Sequence, residues 1–274
     1  MPEGPEIRRA ADRIARVLVD TEIEAVEFAF PQLKHFEDLL AGERVLDVET
    51  RGKALLTHFA NDYSIYSHNQ LYGVWKIAKR GRLPKTGRSL RLALHTASHS
   101  ALLYSASDIS VWPRDELLMH PFLARIGPDL LSRDLKWRTI AERLQDRRFA
   151  GRSLAALYLD QQFLAGSGNY LRSEILFCSA LHPLRRPADL TRAERGRLAR
   201  ETLTVTRRSY DSAGITLTPR LAKTLAKTVK GFERRRFFVF ARDGKPCYHC
   251  QTPIKRDTIG SRRIYWCPVC QLAP

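Results

Sequence analysis

The sequence predicts an α+β multidomain protein. It has an N-terminal β-sandwich with one packed helix, a helical domain built as helix, two turns, helix, and a C-terminal β-hairpin finger carrying four cysteines. Three observations predict this. Apolar residues recur at helical spacing over 5–19, and short β-like runs replace that period from 22 to about 109. Helical spacing returns beyond Asp129, and two Cys-x-x-Cys pairs close the chain.

The first helix is expected from Pro5 to about Val19. Ile7, Ala10, Ala11, Ile14, Val17 and Leu18 share one side, with Arg8, Arg9, Asp12 and Arg16 on the other. Strands are expected near Ile23–Phe30, Val45–Thr50, Ala54–Phe59, Tyr63–His68, Val74–Lys79, Leu90–His95 and Ala101–Ser105. Pro31, Gly42, Gly52, Asn61-Asp62, Gly73 and the 84–87 stretch mark the breaks. So many short strands predict a sandwich or barrel with the helix over an edge or end.

Prolines gather between Pro113 and Asp129, which places a domain boundary there. Helices are then expected at Trp137–Leu144, Ser153–Leu164, Tyr170–Leu181 and Ala193–Ser209. The last follows Thr191 and Glu194 at capping-box spacing. Leu221–Val229 has some helical character, and Cys178 reads as buried packing. The division expected is 1–125, 126–225 and 226–274.

With 46 Lys+Arg against 29 Asp+Glu the net charge is +17. The interval 220–274 alone holds 13 Lys+Arg against 3 Asp+Glu. This basicity points to a polyanion, most often nucleic acid. No basic amphipathic helix offers a lipid-ready aromatic face, no apolar run is long enough to span a bilayer, and the polar start argues against a signal peptide. A cytoplasmic, bacterial-type protein is therefore expected, with cysteines reduced or metal-bound.

Cys247, Cys250, Cys267 and Cys270 form two pairs separated by residues 251–266, a length suited to a hairpin that joins both knuckles on one ion. Four thiolates make a closed tetrahedral site, so one structural Zn2+ is expected, and His249 is not needed as a ligand. Arg262 and Arg263 stand at the expected hairpin tip, where guanidinium groups match phosphate oxygens.

The start Pro2-Glu3-Gly4-Pro5-Glu6 has two readings. Proline and acidic residues open a helix. Alternatively, removal of Met1 leaves Pro2 as a rigid secondary amine beside a carboxylate, suited to attack on a carbonyl-like carbon. Three other places also stay open when taken singly. Arg51-Gly52-Lys53 is a basic turn or a solvated one. The 68–73 stretch, His-Asn-Gln-Leu-Tyr-Gly, is a turn bearing large side chains or a hairpin with Leu71 in the core. Gly166-Ser167-Gly168-Asn169 before the Tyr170 helix is a phosphate cradle or a plain connector.

Together, the Pro2 start, the Lys53 turn, the Gly166–Tyr170 stretch running on to Glu174-Ile175-Leu176, and the four-cysteine hairpin with Arg262 resemble the formamidopyrimidine-DNA glycosylase and endonuclease VIII family over essentially the whole chain. The Gln70-Leu71-Tyr72 turn lies closer to the endonuclease VIII branch. The branch acting on oxidised guanine typically has a methionine there, whereas Ala213–Leu217 is more similar to that branch.

The resemblance implies a bifunctional DNA glycosylase/AP lyase of base excision repair. It would remove oxidised bases, pyrimidines favoured, and cleave by β,δ-elimination through a Schiff base at Pro2. The partner implied is double-stranded damaged DNA, and a monomer is expected. Catalytic roles fall to Pro2, Glu3, Lys53 and Arg262. DNA contacts fall to Asn169, Gln70, Leu71, Tyr72, Tyr170, Arg263 and Glu6, the last as a supporting carboxylate. Residues 126–225 become a helix-two-turns-helix DNA-binding domain and 226–274 a zinc finger. A zinc-ribbon nucleic-acid-binding protein without chemistry, such as a damage sensor, explains the charge and the cysteines equally but gives no use to Pro2-Glu3, Lys53 or the Gly-Ser-Gly-Asn turn.

Overall fold

The computed structural model describes residues 2–272, so the expected removal of Met1 concerns a residue outside the described span. The chain divides into two compact units, 1–125 and 126–274, the second containing both the helical stretch and the cysteine hairpin.

In the first unit, α1 runs Gly4–Leu18 with Glu3 as its N-cap. Its buried stripe of Ile7, Ala11, Ile14 and Leu18 enters the core of the unit. Burying each large aliphatic side chain contributes about 1.5–3 kcal/mol. The strands are β1 (Ala25–Phe28), β2 (Val45–Arg51), β3 (Ala54–Phe59), β4 (Tyr63–His68), β5 (Val74–Lys79), β6 (Leu90–His95), β7 (His99–Tyr104) and β8 (Asp108–Pro113). They form two antiparallel four-stranded sheets, ordered β1-β6-β7-β5 and β2-β3-β4-β8. Helix α1 touches β2 and β3 of one sheet and β5 and β7 of the other, so its apolar stripe joins the two layers. The expected sandwich with a packed helix is what forms.

Two differences from the sequence reading have physical causes. Strand β8 continues to Pro113 because it pairs along its length with β4, Tyr63 opposite Pro113 and His68 opposite Asp108. As an edge strand it is half-buried at every position, so the alternation that marks a strand is missing. Residues 31–40 form a 3-10 turn, Pro31–Phe36, followed by the short helix α2 (Glu37–Leu40).

In the second unit the helices are α3 (Trp137–Arg143), α4 (Arg147–Ala150), α5 (Leu154–Leu157), α6 (Asn169–Cys178), α7 (Arg192–Asp211) and α8 (Pro219–Thr228), and the hairpin is β9 (Lys255–Ile259) with β10 (Arg262–Trp266). The expected Ser153–Leu164 helix is corrected to a single turn. Beyond Leu157 the Asp160 carboxylate accepts the Gln162 amide at 2.8 Å, and Phe163 and Leu164 reach the core from a turn. Helix α6 ends at Cys178 rather than Leu181, with Ala180 at φ 53. Cys178 is half-buried, and burial pushes its thiol up, away from reactivity.

The capping box of α7 forms as its spacing predicts. Thr191 Oγ1 accepts the Glu194 amide at 3.2 Å, and Glu194 Oε2 accepts the Thr191 amide at 2.8 Å. Arg185 donates to the same carboxylate at 2.6 and 3.3 Å. That pair chiefly holds Glu194 at about 2 against an ordinary 4.5. A carboxyl whose folded pKa is depressed stabilises fully above its unfolded pKa and loses that contribution as pH falls through the folded value. Arg185→Gln should therefore flatten the pH dependence of the unit's urea midpoint between about 4.5 and about 2. A variant as acid-sensitive as the parent in that window would contradict the assignment.

Candidate functional site

The site residues of the first unit lie on connections held by the core beside them. Pro2 is half-buried and immediately precedes α1, whose N-cap Glu3 is only 3% exposed. The Glu3 amide donates to Glu6 Oε2 at 3.0 Å, so Glu6 serves the helix start that fixes the terminus. Both readings of the opening residues are thus compatible: the helix start is real, and it orders Pro2.

Lys53 sits in the β2–β3 turn, where Arg51 pairs with Ala54 across Gly52 and Lys53. Gly52 has φ 64, the left-handed value demanded at the first central position of a tight hairpin. Register then places Ala54 opposite His68, and His68 opposite Asp108, at one end of the sheet. Burial keeps His68 below its usual pKa; the Asp108 carboxylate opposes this and the Lys53 ammonium adds to it.

The 69–73 turn leaves this same strand end. Leu71 is 49% and Tyr72 67% exposed, so Leu71 is not core, while Asn69 is buried. Gln70 has φ 50, and its amide donates to His68 Nδ1 at 3.1 Å. Ser107 Oγ donates to Gln70 Oε1 at 2.5 Å, and Arg88 Nη1 donates to the Tyr72 carbonyl at 2.6 Å. The Gly73 amide closes the turn on Asn69 O at 2.7 Å. Any Cβ at Gly73 would stand 2.5 Å from that oxygen, which explains the glycine.

In the second unit, α6 begins at Asn169 after the Gly166-Ser167-Gly168 loop. Gln161 holds the loop, its Nε2 donating to Ser167 O at 3.0 Å and its Oε1 accepting from the Gly166 amide at 3.0 Å. Ser167 Oγ and Asn169 Oδ1 are buried polar atoms without a protein partner among the described residues. The Ser167 hydroxyl can donate and so suits an oxygen-rich anion at a helix N-terminus, whereas Asn169 Oδ1, an acceptor, calls for a donor. Tyr170 is different: its ring packs on Phe237 and its hydroxyl bonds Ser209 Oγ at 3.0 Å, so any DNA contact falls to its backbone.

Arg262 and Arg263 open β10 with exposed side chains. Their carbonyls are held by a residue the sequence reading did not single out. Arg172 on α6 is fully buried and donates to Arg262 O at 3.2 Å, Arg263 O at 2.9 Å and Ala155 O at 2.8 Å. Two residues on, the fully buried Glu174 accepts the amides of Phe238, Val239 and Phe240 at 2.7, 2.8 and 2.9 Å, and the Thr216 hydroxyl. Burial pushes its carboxyl up, and these donors pull it back. The signal was available: two charges of opposite sign stand among Leu171, Ile175 and Leu176, on a helix otherwise apolar enough to be core.

The four cysteine sulfurs lie within 4.8 Å of one another. The Cys247–Cys270 and Cys250–Cys267 sulfurs are 3.9 and 3.4 Å apart. Thiolates about 2.3 Å from a tetrahedral metal stand about 3.8 Å from each other, so the set fits one ion. Backbone amides of His249 and Cys270 point at Cys247 and Cys267 sulfurs at 3.4 and 3.5 Å. The His249 ring packs against Phe177 and Phe238 instead, as its exclusion from the ligand set requires.

Residues 1–107 match the family model described as the formamidopyrimidine-DNA glycosylase N-terminal domain, and residues 126–220 the formamidopyrimidine-DNA glycosylase H2TH domain. The proteins named endonuclease 8 of Shigella sonnei (strain Ss046) and Escherichia coli (strain K12 / DH10B) are each 48% identical over 271 residues, covering 99% of this chain and 100% of theirs. Solved structures of Lactococcus lactis Fpg in complex with DNA containing N7-benzyl-Fapy-dG, and with abasic-site DNA, superpose with a TM-score of 0.82. They cover 99% of this chain and 100% of theirs at 20% identity, a likeness of fold.

Arg172→Lys keeps the charge but loses the fork that spans two carbonyls. Amide exchange at 262–264 should accelerate at least about tenfold, the worth of one charge-assisted hydrogen bond, while α1 amides are unchanged. Equal protection in both proteins would show that Arg172 does not hold the hairpin.

Proposed function

The chain belongs to the formamidopyrimidine-DNA glycosylase family, and on that premise we propose that it is a bifunctional DNA glycosylase/AP lyase of base excision repair, acting as a monomer on double-stranded damaged DNA with Pro2 as its nucleophile. The observation that carries the reading is Pro2 placed directly ahead of a core-anchored helix with the buried Glu3 beside it. A non-catalytic binder has no use for an ordered terminal imino acid next to a carboxylate.

After Met1 is removed, the ring nitrogen of Pro2 is the α-amine. Terminal amines ordinarily titrate at about 7.7–8.0 against about 10.4 for lysine, so far more is free base near neutrality. The nitrogen lone pair attacks C1′, the glycosidic bond breaks, and the base leaves with its bonding electrons and a proton. Opening of the sugar gives an iminium at C1′, and Glu3 supplies the proton to O4′. The iminium acidifies C2′, whose proton is lost as the 3′ C–O bond breaks, and a second elimination releases the 5′-phosphate. Water then hydrolyses the iminium and frees Pro2. Lys53 donates protons in elimination and holds a backbone phosphate. Asn169, the backbone at Tyr170, Arg262 and Arg263 hold phosphates. Gln70, Leu71 and Tyr72 fill the space of the extruded nucleotide, offsetting an unstacking cost of a few kcal/mol.

Oxidised pyrimidines are the favoured lesions, on the likeness of the Gln70-Leu71-Tyr72 turn to endonuclease VIII. Cys247, Cys250, Cys267 and Cys270 would hold one Zn2+, and a closed set of four thiolates would cross-link the finger and leave no position for substrate. Among the described residues no helix is long and apolar enough to cross a membrane, and we place the enzyme in the cytoplasm on DNA.

Borohydride trapping with duplex DNA containing an oxidised pyrimidine tests the reading. A covalent adduct should form, and should be lost when Pro2 is replaced or when Met1 is retained. Clean binding without an adduct in the parent protein would support the sensor instead. Replacing Cys250 by Ser should release one zinc per chain, read by metal analysis, and weaken DNA binding while the first unit keeps its unfolding transition. Arg262→Gln should lower the slope of log K against log salt by about 0.9, the share of one phosphate.

A further inference from the structure

We propose that Arg88 and Ser107 are positioning residues that hold the Gln70-Leu71-Tyr72 turn pre-formed as a wedge before DNA arrives. This rests on the reading of that turn as the filler of the vacated stack.

The turn presents two large apolar side chains to solvent. Its Gln70 has φ 50, a left-handed value that costs a residue with a side chain about 1–3 kcal/mol. Leu71 and Tyr72, 49% and 67% exposed, gain little burial to repay that cost. Unsupported, such a turn samples many conformations and must be ordered at the moment of binding, which weakens binding and slows base extrusion.

The support comes instead from two separate connections. Arg88 lies between β5 and β6, and Ser107 between β7 and β8. The Arg88 guanidinium donates to the Tyr72 carbonyl at 2.6 Å, fixing the end of the turn that follows Leu71. The Ser107 hydroxyl donates to Gln70 Oε1 at 2.5 Å, fixing the side chain that begins it. The Gly73-to-Asn69 amide bond and the Gln70-to-His68 bond close the turn on its own strand. Among the described residues no carboxylate forms a salt bridge with Arg88. Its charge is spent on a carbonyl dipole, an arrangement expected when the position of that carbonyl matters. Neither bond belongs to the sheets, so removing either leaves the fold intact and alters only the order of the wedge.

A wedge is needed only where there is a stack to fill. The test therefore compares the same abasic lesion in a duplex and in a single strand, for Arg88→Ala, Arg88→Lys, Ser107→Ala and Leu71→Ala. Arg88→Ala should lower kcat/KM on the duplex about tenfold, the worth of one charge-assisted hydrogen bond, with single-strand cleavage within about twofold of the parent. Ser107→Ala should act in the same direction by about threefold, the worth of one neutral bond. Arg88→Lys should recover part of the loss, because an ammonium can still reach one carbonyl. The salt slope of duplex binding should stay that of the parent.

Equal loss on both substrates, no loss on either, or a slope lowered by about 0.9 in Arg88→Ala would overturn the proposal, the last because Arg88 would then be a phosphate contact. Leu71→Ala separates the action of the wedge from its pre-forming. If it leaves the duplex-to-single-strand ratio unchanged, the turn is not a wedge. If it lowers that ratio while Arg88→Ala and Ser107→Ala do not, the wedge stands and its pre-forming by these residues fails.

Discussion

Arg172 and Glu174, buried two residues apart on α6, are the interaction on which the second unit depends. A charge taken out of water costs several kcal/mol unless its hydrogen-bonding capacity is met. Here it is met largely by backbone groups, carbonyls for the guanidinium and amides for the carboxylate. Those groups belong to the start of β10 and to the apolar stretch Phe238-Val239-Phe240. Each charge therefore draws a remote segment onto the helix, and removing either would strand several buried polar groups at once. The same helix carries Asn169 at its N-terminus, so the 166–168 loop and the finger share one support.

The first unit solves the same difficulty by different means. Groups that meet DNA must be exposed, and exposed segments are disordered unless something nearby holds them. Pro2 is held by the apolar stripe of α1 and by the bond from the Glu3 amide to Glu6. Lys53 is held by a two-residue hairpin that only the left-handed Gly52 permits. The 69–73 turn is held from neighbouring connections. In each case a segment that is mobile by residue type is ordered by what it is attached to. This ordering before binding lets a small set of contacts act without a conformational penalty.

Much of this was legible in the sequence, for local reasons. The period of α1, the glycine and asparagine breaks between strands, the Thr191–Glu194 box and the cysteine spacing all act within a few residues, and each formed close to where it was read. Legibility failed where the deciding contact was distant. Edge strand β8 carries no alternation because neither of its faces is fully buried. Leu154, Leu157, Phe163 and Leu164 have helical spacing, yet turns after Leu157 satisfy the same burial. Tyr170 stands in a motif that reads as DNA-facing, and its ring is core.

By itself the sequence determined the sandwich and its helix, the helical and cysteine-bearing regions, and the four cysteines positioned for one ion. Those properties reside in side-chain type, short spacings and period. Only the tertiary structure decided what holds the chemistry in place. The bond from Arg172 to Arg262 O spans 90 residues and that from Phe238 to Glu174 spans 64. The bonds to the 69–73 turn come from Arg88 and Ser107, on connections between other strands. A charged residue at a core position announces that it must find a partner, but the partner is chosen by which backbone groups the fold brings within hydrogen-bonding reach.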